Sequence, residues 1–304
     1  MTSQPHDPRN LMYISSSLIR GPVAQQGDIR ILVCVGQDLF MPTEQSCLFT
    51  LPDQERQGLA NMADEVLCLG EVSGSLCLAL CFADSQSAPE RFVGTLHNLR
   101  NVWRLLPREE ASLAAYARGL YHWHRTHRHC GRCGSTTASV RNGQERLCNN
   151  PDCSAAHFPR TDPAVIMRIT DGDWCLLARN ARWRNGMYSV LAGFVEIGES
   201  LEQAVVRETR EEVGIALQSV SYFASQPWPF PSSLMVGFCA TADRHQPLSI
   251  DPHEIEDARW FHRNELLEAH HKEQKGEVET HPLRLSSQDS ISRELINDWL
   301  FSQS

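Results

Sequence analysis

Apolar positions along this chain come in two alternating styles. Between residues 30 and 93 they form short runs, RILVCV, EVLCLG and LCLALCFA, separated by polar turns, and predict several strands. After Pro107, Leu113, Tyr116, Ala117, Leu120 and His124 recur at helical spacing and predict a helix with one buried face. Beyond Pro159 the strand pattern returns. AVIMRI and WCLLAR flank Asp171-Gly172, a hairpin signal, and YSVLAG reads as a strand that delivers the chain to a loop and helix. LMVGFCAT and DARWF predict later strands. Residues 268–288 are polar and read as a long surface loop, after which Ile291, Leu295, Trp299 and Leu300 mark a last helix. No solenoid period is visible, and both halves suit α+β sheets of similar size.

The helix after YSVLAG is the informative one. Ser200 stands three residues before Gln203, the spacing of a capping box, and Gly214 follows the last periodic residue as a stop. Leu201, Ala204 and Val205 face a core, yet Glu208, Glu211 and Glu212 fall at i, i+3 and i+4 on another patch. Each like-charged pair costs about 0.2–0.5 kcal/mol in water, and more as water is excluded. A divalent cation converts that repulsion into ligation, and Mg²⁺ and Mn²⁺ favour such oxygen ligands. The plain alternative is a solvated acidic helix with Arg207 and Arg210 as partners.

Composition sharpens this. The 304 residues are long for one domain and comfortable for two. The longest apolar run, residues 76–83, is too short to span a bilayer, and MTSQPHDPRN lacks a basic-then-apolar signal, so the expectation is a soluble cytoplasmic protein with no membrane partner. A formal charge of −9 argues against a duplex-binding surface and means that an anionic substrate is repelled unless cations neutralise the site.

Eleven cysteines in a chain of this size argue against a disulfide scaffold. Most sit in apolar runs and read as buried small hydrophobes. Cys130, Cys133, Cys148 and Cys153 differ, because the spacing C-x2-C, fourteen residues, C-x4-C brings four thiolates to one tetrahedral ion. Zn²⁺ suits that set and leaves no open position, so one structural zinc per chain is expected. An iron–sulfur cluster and a redox pair are the alternatives, and His127 and His129 are the substitute ligands at hand.

In SQPWPFPSS (residues 225–233), Pro227, Pro229 and Pro231 remove backbone donors and exclude a central strand. They alternate with Trp228 and Phe230. The strip is either a stiff platform for stacking a nucleobase or a Pro-rich turn with packing aromatics, and the residues alone leave both open.

Residues 193–215, GFVEIGESLEQAVVRETREEVGI, resemble the Nudix box at Gly193, Glu199, Arg207, Glu208, Glu211, Glu212, Gly214 and Ile215. Thr209 departs from it, standing where the family prefers an aliphatic residue. With the four-cysteine ribbon before it and SQPWPFPxS after it, the chain resembles the NADH pyrophosphatase family of Nudix hydrolases, some of whose members remove NAD caps from RNA. The resemblance covers roughly residues 130–299; earlier it rests on size and on Leu99-Arg100. The C-x4-C knuckle and Phe158, in place of a substrate-touching tyrosine, are further departures.

The resemblance implies an α+β chain with a Nudix α/β/α sandwich on a mixed sheet, preceded by a four-cysteine zinc ribbon and a smaller N-terminal α+β domain. The implied boundaries are 1–125, 126–158 and 159–304. The catalytic Mg²⁺ or Mn²⁺ ions, two or three of them, map onto Glu208, Glu212, Glu254 and the carbonyl of Ala192, with Glu256 the rival of Glu254. Glu212, then Glu211, is the choice for activating water, while Arg207 orients the carboxylates through Glu199. Substrate contacts map onto Phe194, Gln226, Pro227, Trp228, Pro229, Phe230, Pro231, Ser232, Ser233, Phe158, Ser292 and Arg100. The implied reaction splits NAD(H) into nicotinamide mononucleotide and AMP, in a homodimer. One rival is decapping of NAD-capped RNA, with the basic stretch 122–132 guiding the strand. Another is a nucleic-acid-binding protein with a vestigial Nudix domain.

Overall fold

The computed structural model describes residues 29–42, 46–50, 58–72, 74–84, 94–277 and 282–302. They fall into two compact units, one of residues 29–161 with 228–232, the other of residues 162–227 with 233–302. Among the described residues no helix is long and apolar enough to cross a membrane.

The first unit is built on β1 (Ile29–Val35), β2 (Asp38–Met41), β3 (Leu48–Thr50), β4 (Glu65–Val72), β5 (Ser75–Phe82) and β6 (Thr95–Asn98). Their order is β4-β5-β1-β2-β6, with β3 also on β1. β1 runs parallel to β5, Cys34 opposite Cys81, and antiparallel to β2 and β3. A strand paired centrally and covered on both faces reads as a continuous apolar run, which is why Ile31 to Val35 are all buried. A single turn, α1 (Leu99–Val102), precedes α2 (Arg108–Thr126). Leu113, Ala117, Leu120 and Tyr121 of α2 pack into the core that holds Leu67 and Leu69 of β4. The chain then forms a three-stranded antiparallel ribbon of β7 (Thr137–Val140), β8 (Glu145–Cys148) and β9 (Ala156–His157).

A buried polar knot ties ribbon to sheet within this unit. Arg146 of β8 donates to Glu65 Oε1 of β4 at 2.6 Å and to the Thr137 carbonyl at 2.8 Å. His124 Nε2 lies 2.8 Å from the Gly143 carbonyl, so it must donate; Nδ1 is then the acceptor for Arg146 Nη1, also at 2.8 Å.

The second unit holds β10 (Asp162–Asp171), β11 (Trp174–Arg179), β13 (Leu191–Phe194), β14 (Leu217–Trp228), β15 (Ser233–Ala242) and β16 (Asp257–His262) in the order β14-β15-β10-β11-β16, with β13 also on β10. A short pair of β12 (Met187–Tyr188) and β17 (Arg284–Leu285) lies apart. β10 is parallel to β15 and antiparallel to β11 and β13, so the sheet is mixed. Its side chains alternate: Val165, Met167 and Ile169 join Ala204, Val205 and Val213 of α3 (Leu201–Val213) in one core. On the opposite face Ile166 joins Leu266 of α4 (Arg263–Gln274) and Ile291, Leu295 and Trp299 of α5 (Ile291–Phe301) in the other. Helices thus cover both faces, an α/β/α sandwich.

Where the sequence predicts a surface loop over residues 268–288, residues 268–274 are helical, part of α4, and β17 interrupts the remainder; residues 278–281 lie outside the described residues. A capping box between His262 and Glu265 starts α4, yet only Leu266 and Ala269 are buried, so the helix shows almost no apolar stripe. The proline-rich strip also has a simpler start than expected, since Gln226 to Trp228 end β14, the edge strand, where missing donors are tolerated.

Candidate active site

The acidic helix α3 is fixed at both ends. Ser200 accepts from the Gln203 amide while the Gln203 side chain accepts from the Ser200 amide, and Gly214 closes the C-terminus with φ 77°. The connection from β15 to β16 bonds to the helix's last carbonyls: Ser249 N donates to Val213 O, and Asp251 N to Glu212 O. That return brings Glu254 under the end of α3. One carboxylate oxygen each from Glu208, Glu212 and Glu254 lies within 4.8 Å of the others.

The electrostatics of this trio are unfavourable without a cation. Glu212 is 6% exposed, and its Oε2 is buried with no hydrogen-bond partner. Burial, followed by the charges of Glu208 and Glu254, pushes its carboxyl up to about 8. Burial likewise raises Glu208. The negative end of the helix dipole lies at the same place and adds to the demand for positive charge. An orphaned buried oxygen among three converging carboxylates is a donor set that Mg²⁺ or Mn²⁺ fits.

Arg207 organises the acids around it. Its fork takes both oxygens of Glu199, at 2.8 and 2.9 Å, and Nη1 reaches Glu211 at 2.8 Å and Glu208 at 2.9 Å. Hydrogen bonding from Arg207 holds Glu199 below its ordinary carboxylate range. Nη2 also donates to the Phe194 carbonyl at 2.8 Å, tying the helix to the end of β13. Ala192 and Gly193 lie on that strand, and a Cβ on Gly193 would occupy the space of the Glu208 carboxylate. Phe194 itself is largely exposed. Thr209, the departure in the motif, is fully buried and donates to the Val205 carbonyl at 2.7 Å, so its hydroxyl is satisfied inside the helix.

The other anticipated residues sort into separate places. Glu256 forms an ion pair with Arg179 and lies outside the trio, which separates it from its neighbour Glu254. Gln226 is buried, its amide donating to Asp289 O and accepting from Ile291 N, both at 2.8 Å. Ser292 sits in a buried trio of hydroxyls, 2.7 Å from Ser189 and 2.8 Å from Ser286. Pro227 is half-buried and Ser233 opens β15. Trp228, Pro229, Phe230, Pro231 and Ser232 belong to the first unit. There the Trp228 and Phe230 rings meet edge to face at 5.2 Å. The Arg100 and Arg118 guanidiniums each lie 4.5 Å from the Phe230 centroid, and Arg118 donates to the Pro229 carbonyl. Phe158, after the ribbon, is exposed.

In the ribbon, Cys130, Cys133, Cys148 and Cys153 converge, with Sγ pairs at 3.4 Å (Cys133–Cys148) and 3.9 Å (Cys130–Cys153). Thiolates about 2.3 Å from a zinc in a tetrahedron stand about 3.8 Å apart, so the cluster has the right size. His127 and His129 are not members of it. His157 approaches Cys130 Sγ at 3.3 Å and was not anticipated; its only sequence signal is its place four residues after Cys153.

The NUDIX domain family matches residues 159–281, the NADH pyrophosphatase zinc ribbon domain residues 125–158, and the NADH pyrophosphatase-like rudimentary NUDIX domain residues 29–123. The chain is 40% identical over 203 residues to the NAD-capped RNA hydrolase NUDT12 of Homo sapiens, covering 64% of this chain and 43% of that protein. It is 41% identical over 203 residues to the NAD-capped RNA hydrolase NudC of Mycobacterium bovis, covering 66% of this chain and 64% of that one. The match thus spans roughly half to two thirds of the length of these curated relatives. A NUDIX hydrolase from Nitrosomonas europaea aligns in structure with TM-score 0.39 and 22% identity, over 45% of this chain and 78% of that one.

Proposed function

The chain belongs to the Nudix family, in the branch that carries the NADH pyrophosphatase zinc ribbon, and on that premise we propose that its glutamate trio hydrolyses the pyrophosphate bond of NAD(H). The products are nicotinamide mononucleotide and AMP. One observation carries the reading: Glu212 Oε2 is buried and partnerless beside Glu208 and Glu254, an arrangement that costs stability and makes sense as a metal seat.

Glu208, Glu212 and Glu254, with the Ala192 carbonyl as a further ligand, would hold two or three Mg²⁺ or Mn²⁺ ions. Such ions supply Lewis acidity to the phosphate oxygens and lower the pKa of a bound water. Glu212, ionised, accepts the proton of the attacking water, with Glu211 the second choice. Arg207 orients Glu208 and Glu211 through its bidentate hold on Glu199, a positioning role. Substrate contacts are assigned within each unit separately: to Phe194, Gln226, Pro227, Ser233 and Ser292 in the second, and to Arg100, Phe158 and residues 228–232 in the first. The four ribbon cysteines hold one structural zinc. A homodimer in the cytoplasm completes the proposal; the free state of all eleven cysteines suits a reducing compartment.

The names of the relatives favour a second substrate with the same bond, an RNA whose 5′ end is NAD. The deciding experiment is a product assay on NADH, NAD⁺, ADP-ribose and NAD-capped RNA with Mg²⁺ and then Mn²⁺. Glu212→Gln lowers kcat on NADH more than about 100-fold with the fold intact. Near-normal turnover by that variant removes Glu212 from the role.

A further inference from the structure

The loop from β11 to β12, residues 180–186, carries Arg182, Trp183 and Arg184 in succession. Asn180 Nδ2 donates to the backbone carbonyl of Glu254 at 2.7 Å, so the loop starts against a residue of the trio. The preceding residue is fixed too: Arg179 pairs with Glu256, and its carbonyl accepts from Glu256 N. The loop is stiff. Arg182 N donates to Asn180 Oδ1, Trp183 N to Asn180 O, and Met187 N to Arg184 O, all at 3.0 Å. Its far end is held where Arg284 N donates to the Gly186 carbonyl at 2.7 Å.

The tip side chains are exposed, Trp183 at 39%. Arg168, Arg179, Arg207, Arg259, Arg263 and Arg293 of this unit are each answered by a carboxylate. Arg182 and Arg184, like Arg210 of the acidic helix, have no such partner among the described residues; only the first two flank an exposed indole. In a chain of net charge −9, two unanswered guanidiniums flanking an exposed indole, pinned to the edge of an acidic cluster, run against the local field. Two cations with one exposed ring between them, carried on a hydrogen-bonded backbone, suit two backbone phosphates and one base of a single strand. A duplex needs the broad basic surface that this protein lacks.

We infer that this loop is the docking element for the single-stranded RNA that continues from the NAD end, so that it serves the capped substrate and not free NAD(H). The inference rests on the proposed pyrophosphate hydrolysis for its catalytic readout. The variants are Arg182→Ala with Arg184→Ala, and separately Trp183→Ala. Each is assayed on NADH and on NAD-capped RNA across a salt titration, and for binding of an uncapped single-stranded RNA in EDTA.

The double variant keeps NADH turnover within about twofold, since among the described residues no hydrogen bond or ion pair joins the tip side chains to the trio. Its kcat/KM on capped RNA falls about tenfold, and the slope of log affinity against log salt drops by about 1.4, at about 0.7 for each lost phosphate contact. Trp183→Ala lowers RNA affinity about tenfold with the salt slope unchanged. Equal losses on both substrates, or none on RNA, overturn the inference. If the wild-type protein cleaves neither substrate, the hydrolase reading fails and RNA binding alone decides: weaker binding by the variants sustains the loop's role, and equal binding ends it.

Discussion

The two six-stranded sheets of this protein share one connectivity and differ in how they treat a buried acid. In each, the first strand pairs antiparallel with the second and third and parallel with the fifth (β1 with β2, β3 and β5; β10 with β11, β13 and β15). The sixth strand closes each on the second, β6 on β2 and β16 on β11. The match of the first sheet to a rudimentary NUDIX domain has this structural counterpart. Between β13 and β14 lies α3 with its glutamates; the corresponding stretch, residues 51–64, reads LPDQERQGLANMAD and has no such cluster. On the first sheet Glu65 of β4 is answered from within the chain by Arg146, whereas on the helix beside the second Glu212 Oε2 has no partner. One connectivity thus carries a strand carboxylate neutralised from within the chain and, on the helix inserted between β13 and β14, a buried carboxylate oxygen left without a partner.

The sharpest way to break this contrast is at the backbone beneath α3. Gly193→Ala puts a methyl into the space of the Glu208 carboxylate. Displacing that oxygen by even about 1 Å lowers turnover about 100-fold or more with little change in the fold. In the connection between β3 and β4, a Cβ on Gly58 meets nothing within 4 Å and the residue is helical, so Gly58→Ala leaves turnover as it was and does not lower the melting temperature. Turnover by Gly193→Ala within a few-fold of wild type would mean that Glu208 has room to move, and would detach the trio from the catalytic role.

How much of this was legible beforehand follows from which signals are local. α3 was written in the sequence because Ser200, Gln203 and Gly214 punctuate it and Glu208, Glu211 and Glu212 are neighbours on one helix. β1 was legible as a solid apolar run. α4 was not, because a helix that buries only Leu266 and Ala269 shows no stripe. Nor could spacing separate Glu254 from Glu256. That difference arises from the bond of Asp251 N to Glu212 O, which delivers one carboxylate, and from Arg179, which removes the other. The stacking of Arg100 on Phe230 joins residues far apart in sequence and has no local signature.

A second test acts on the self-neutralised acid. Arg146→Met leaves Glu65, 15% exposed at its side chain, without its cation and costs about 3 kcal/mol of stability. Hydrogen exchange in β4 and α2 reads the loss. Adding Glu65→Gln recovers part of it, because no uncompensated charge then remains. A single variant within about 1 kcal/mol of wild type would show that solvent, and not Arg146, stabilises Glu65.

The third test exploits the opposite behaviour of the unneutralised acid. Burial and the charges of Glu208 and Glu254 raise the Glu212 carboxyl to about 8, whereas in the unfolded chain it titrates at about 4.3. Between these values the folded, metal-free protein holds a proton that the unfolded chain has lost, so its stability falls as pH rises through that window. A divalent ion needs the same oxygen deprotonated and competes with that proton, so apparent Mn²⁺ affinity rises with pH, by up to about tenfold per unit, and levels off above about 8. Saturating Mn²⁺ therefore offsets the decline seen in EDTA. Titration calorimetry at neutral pH in buffers of different ionisation enthalpy should find about one proton released on binding, the share that Glu212 holds. Affinity that stays flat from pH 6 to pH 8, with no proton released, would place the ion elsewhere and make the two sheets alike in how they treat buried charge.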